Sequence, residues 1–211
     1  MKRKLSFIPL FLKASIQPTK VVRTVLDRDS NFFIWPMIIV YAAISTSSPF
    51  FYMPLLKRIP FPLALLSGFV LWTTVGILIF LVFVWIFYFV GKRLGGKGSF
   101  EKIRTAYVWS VPPILWGIIF LLISKFSIWM KVFGGETDMK ILSMGPKPWW
   151  QIVSSLLVVF TDYWAWVLVV INTAYVHKFS IWKSLAIFLV LVIPVSMLFA
   201  EAKKYFVVHI G

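Results

Sequence analysis

The chain has 211 residues, 60% of them hydrophobic and 14% charged, with a mean hydropathy of +0.89. Soluble domains carry about 25% charged residues, so this composition excludes an ordinary soluble protein and leaves one all-α, polytopic membrane domain. A net charge of +15 would point to nucleic acid in a soluble chain. Here Lys and Arg punctuate apolar runs, which makes anionic lipid headgroups the expected partner and excludes nucleic acid.

Residues 1–31 read as a basic, amphipathic segment. Lys2-Arg3-Lys4 and LSFIPLFL mimic a signal peptide, but the apolar part contains Pro9, runs into Lys13 and lacks a small-residue cleavage site. The expectation is an uncleaved segment lying on the membrane surface. Pro18 then opens a short helix with Val21, Val22, Val25 and Leu26 on one face. That face fits the membrane interface or the protein's own spans equally well.

A membrane domain follows over 32–202, with a tail at 203–211. Crossing the hydrocarbon core takes about 20 apolar residues, and five spans are expected at about 32–51, 66–90, 106–124, 162–176 and 182–200. Asp29-Ser30-Asn31 can cap the first. Ser45 to Ser48 in the first span, and Gly68, Thr73, Thr74 and Gly76 in the second, are small residues suited to close helix packing. Pro112 and Pro113 should kink the third span, with the freed carbonyls facing protein. In the loop at 125–150, Glu136 and Asp138 do not form an EF-hand pattern.

Between the second and third spans lies GKRLGGKGSFEKIRTAYVWSVPP, residues 91–113. Gly95, Gly96 and Gly98 permit a tight reversal, and Ser99 can cap the next helix, with Glu101 in its first turn. Gly91-xxxx-Gly96-Lys97 copies part of a phosphate-binding loop, but Gly98 replaces the Ser or Thr that would hold magnesium and no strand precedes it. A basic, membrane-proximal turn is the better reading. Lys97, Ser99, Lys102 and Arg104 form the candidate site for an anionic headgroup or phosphate.

The same stretch resembles the signature of the Yip-domain family, the membrane proteins that interact with Ypt and Rab proteins, and their prokaryotic relatives. The residues that carry the resemblance are Gly98-Ser99-Phe100, Tyr107 and Pro112, supported by Thr161-Asp162-Tyr163-Trp164 and Phe179-Ser180-Ile181-Trp182-Lys183. The resemblance implies a five-span fold. In eukaryotic relatives it implies a role around vesicle traffic and small GTPases of the Rab type. Those relatives carry a longer amino-terminal region, so the expectation here is a bacterial or archaeal member in the cell membrane.

With the amino terminus inside, five spans place 14 Lys and Arg inside and 8 outside. The positive-inside rule then predicts a cytoplasmic amino terminus and an external carboxyl terminus.

Catalytic chemistry is missing. The absence of cysteine removes thiolate nucleophiles and Cys-based metal sites. His177 and His209 have no metal-ligand spacing, and no cofactor is expected. Two functions remain. The first is a non-enzymatic membrane protein that binds a protein partner, a second copy of itself or lipid, and organises the membrane. The alternative is a transporter of a small molecule, ion or lipid.

Asp162 and Asn172 are the polar residues that bear on this choice. From Trp149 to Val176 the run is longer than one crossing needs. It is therefore expected to split into an interfacial helix at 149–160 and a short span from Asp162. Asp162 then caps a helix at the outer interface; the competing reading is a buried ion or proton site with Asn172 or His177.

Overall fold

The computed structural model describes residues 6–45, 60–134, 148–191 and 194, and every regular element among them is a helix. The expectations for Lys2–Lys4, the loop around Glu136 and the carboxyl-terminal tail lie outside the described residues. In chain order the helices are α1 (Phe7–Ala14), α2 (Pro18–Arg28), α3 (Ile34–Ser45), α4 (Phe61–Arg93), α5 (Phe100–Val108), α6 (Pro112–Phe133), α7 (Trp149–His177) and α8 (Ile181–Leu191).

Three stretches are long and apolar enough to cross a membrane: Pro62–Arg93, Phe100–Ile123 and Trp149–His177. The apolar helices Ile34–Ala43 and Ile181–Leu191 are shorter. They lie where the first and fifth spans are expected, and both expected spans continue past the described residues.

α2 starts on Pro18, where a missing amide costs nothing. Its apolar face is spent inside the protein: Val21, Val22 and Val25 are buried, and the helix packs on α5 and α7. The choice between membrane surface and own spans therefore falls on the spans. α1 also folds onto the bundle. Phe7 stacks on Phe33 at 4.2 Å, Phe11 lies against Trp116, and the Trp164 indole donates to the Ser15 carbonyl at 2.9 Å.

The expected kink in the third span is a full break. α5 ends at Val108, Trp109 and Ser110 turn, and α6 begins with Pro112-Pro113 in its first turn. The carbonyls freed by the break find local partners: Ser110 N–H donates to Tyr107 and Val111 N–H to Val108. Residues 105–113 are all buried, so the break faces protein as expected. Around it, Trp109 lies parallel to Phe32, and the Tyr107 ring meets Phe80, Phe87 and Trp166 edge-on.

α7 corrects the expected split. It is one helix of 29 residues, about 43 Å long at 1.5 Å per residue. Nothing between Phe160 and Asp162 breaks a helix. The Thr161 hydroxyl donates back to Val158, as those of Ser154 and Ser155 do to Trp150 and Gln151. A polar residue in an apolar run marks a boundary in hydropathy, not in backbone hydrogen bonding. α6 and α7 run antiparallel: Ser110 meets Asn172 near one end, and Gly117 meets Thr161 further along. On the other side, Gly76 of α4 lets the Ala42 backbone of α3 approach closely, the role expected of small residues.

Candidate functional site

The candidate site is built around the glycine hairpin and the end of α7. A helix end leaves carbonyls without partners, and here the hairpin supplies some of them. Lys97 N–H donates to the His177 carbonyl at 3.0 Å, and Gly98 N–H to His177 Nδ1 at 3.3 Å. Lys178 turns the chain in the left-handed conformation (φ 57°), and Phe179 N–H reaches back to the Ala174 carbonyl, closing a Schellman-type cap.

His177 is the centre of this clasp. It is 1% exposed and stacks on Phe179 at 5.0 Å. Because Nδ1 accepts from Gly98, the ring proton is placed on Nε2, on the side of the Phe87 backbone of α4. A Cβ on Gly91 would stand 2.1 Å from Nε2, and one on Gly96 2.2 Å from Nδ1. Only Gly95 of the hairpin glycines needs its freedom of φ, at +85°. Gly91 and Gly96 are required for close approach to an imidazole 79 residues downstream of Gly98.

The candidate lipid residues separate. Ser99 caps α5 as expected, its hydroxyl accepting from Lys102 N–H at 3.4 Å. Arg104 is half-buried and donates to Asn31, while Thr105 donates to the Ser30 carbonyl, so this pair anchors the α2–α3 turn on α5. The amides of Gly96, Lys97 and Gly98 all donate within the chain. The hairpin backbone is therefore not an open phosphate cradle.

Lys97 and Lys102 remain exposed, and Lys102 faces a different neighbour. A groove of about 640 Å³ opens between α2, α5, α7 and the start of α8. Lys102 and Lys178 stand beside Leu26, Ile171, Phe179 and Ile181 in its lining. Asp27 also lines it and is paired with Arg23 at 3.7 Å. Lys178 carried no signal in the sequence; the left-handed turn after His177 brings it into the same groove as Lys102.

The intramembrane polar residues also separate. Asn172 is fully buried and donates to Ser110 Oγ at 2.8 Å, and Ser110 in turn donates to the Ala106 carbonyl. Pro112 and Pro113 are buried two residues further on. Asp162 is elsewhere. It lies thirteen residues after Trp149 and fifteen before His177, so it caps no helix. It lines a separate cavity of about 240 Å³ with Tyr41, Gly117, Thr161 and Trp166. Asp162, Asn172 and His177 therefore do not form one site. No group of three metal-ligating side chains occurs among the described residues.

The family model described as the Yip1 domain matches residues 13–201, nearly the whole chain. No curated protein and no solved structure gives a significant match.

Proposed function

The chain belongs to the Yip1 domain family, and from that premise we propose that it is a non-enzymatic membrane protein whose cytoplasmic end binds anionic lipid. The observation that carries the reading is the groove, where Lys102 and Lys178 stand over an apolar wall of Leu26, Ile171, Phe179 and Ile181. A phosphate-bearing headgroup meets the two lysines while its acyl chain follows the wall. Each cation near an anionic surface contributes about 1 kcal/mol. Exposed Lys92, Arg93 and Lys97 extend the positive field around the groove. Membrane organisation through lipid, with a protein partner or a second copy recruited to the same end, is the role this supports.

Orientation follows the same charges. The α2–α3 turn, the glycine hairpin and Lys178 are tied together at one end by the Asn31–Arg104 and Lys97–His177 hydrogen bonds. That end is cytoplasmic by the charge count. The chain has no native cysteine, so Ser99→Cys is labelled without background. An impermeant maleimide should spare it in intact cells and label it after permeabilisation; labelling from outside reverses the orientation.

The test of the lipid reading is native mass spectrometry of protein purified with phosphatidylglycerol. Wild type retains lipid, and Lys102→Gln/Lys178→Gln loses most of it, while Lys125→Gln/Lys131→Gln, on the far half of α6, keeps it. Equal retention by all three proteins would overturn the reading.

A further inference from the structure

Asp162 has an unusual situation for a carboxylate. Asp27 meets Arg23, and Asp29 accepts the Asn31 amide at 2.9 Å. Asp162 meets neither cation nor hydrogen-bond donor among the described residues. It lies near the middle of a helix about 43 Å long, roughly 20 Å from each end. Ionisable residues kept within a membrane span pair with something.

Beside it is room. The cavity between α3, α6 and α7 holds about 240 Å³, somewhat below the range of about 300–1,000 Å³ that encloses drug-sized ligands. Gly117 helps to shape it: a Cβ there would stand 2.4 Å from Thr161 Oγ1. No Lys or Arg lines the cavity.

The lining decides the class of ligand. A bare metal cation wants a shell of oxygens. Here the side chains of the wall offer oxygens only from Asp162, Thr161 and Tyr41, fewer than the roughly six to eight that such a cation takes, and the remaining lining is apolar apart from the Trp166 indole. Tyr41 and Trp166 line the same cavity, and Trp166 is fixed by packing against Phe83, Tyr107 and Phe188. One carboxylate with two aromatic rings is the combination that recognises an organic ammonium, through ion pairing and cation–π attraction. We propose that Asp162, Tyr41 and Trp166 form an intramembrane site for a small alkylammonium ligand.

The site differs from the lipid groove in place and chemistry, and neither depends on the other. Its test uses tetramethylammonium chloride, exchanged for sodium chloride at constant ionic strength, with purified protein in detergent. Wild type should show a saturable rise in melting temperature. Asp162→Asn should abolish it or raise the half-saturating concentration by about tenfold or more, Trp166→Leu should weaken it, and Asp162→Glu should retain it. Binding of radiolabelled tetramethylammonium to wild type reads the site directly, whether or not the variants fold. Absence of saturable binding to wild type, an equal shift in Asp162→Asn, or an Asp162-dependent shift with sodium alone would overturn the proposal.

Discussion

His177 and Asp162 sit on the same helix, fifteen residues apart, and their surroundings are opposites. Around His177 there is no room: Gly91 and Gly96 are glycines because a single added carbon would overlap the imidazole. The nearby amides are spent on it as well, Gly98 on Nδ1 and Lys97 on its carbonyl. Around Asp162 there is a cavity and no partner among the described residues. A polar group enclosed and hydrogen-bonded holds a fold together. A polar group with space and no partner is available to something from outside. The clasp is accordingly architecture, and the cavity and the lysine groove are where binding is to be sought.

The largest effects should come from breaking the clasp. Gly91→Ala drives a methyl into a buried ring, and overpacking of that kind costs about 3 kcal/mol. His177→Ala removes a large buried side chain and should cost about 2–5 kcal/mol, the range for emptying a core position. The two losses should not add, because the alanine at 91 fills space vacated by the imidazole. Melting in detergent of both single variants and the double variant checks this. A double variant destabilised by the full sum would show that the glycine and the histidine are not coupled.

A smaller effect is expected at the helix break. Ser110→Ala leaves the buried Asn172 amide without its acceptor, at a cost of about 1–3 kcal/mol. Asn172 Oδ1 already lacks a partner among the described residues, so Ser110→Ala/Asn172→Leu should recover part of the loss. A double variant less stable than Ser110→Ala alone would mean that Asn172 does more than pair with Ser110.

Much of this fold was legible in the sequence because it follows from local rules. Pro18 opens α2, Ser99 caps α5, and Pro112-Pro113 end the continuity of the third span. What stayed hidden depends on distant partners. The hairpin glycines read as a turn, but Gly91 and Gly96 are set by His177, and a lone histidine without metal spacing gives no signal. Arg104 reads as a free cation until Asn31, 73 residues away, is seen to receive it. α7 departs from its sequence pattern for a different reason. Asp162 looks like the start of a helix if charge is assumed to avoid the bilayer centre, whereas the backbone carries straight through it. On the proposal above, a carboxylate in that position has no structural duty.

That last statement is the one to test most directly, by melting wild type, Asp162→Asn and His177→Ala side by side in the same detergent without added ammonium. If Asp162 is an unpartnered carboxylate kept for a ligand, Asp162→Asn melts at or above the wild-type temperature while His177→Ala melts well below it. Asp162→Asn falling as far as His177→Ala would make Asp162 part of the architecture and contradict the division drawn between the middle and the end of α7.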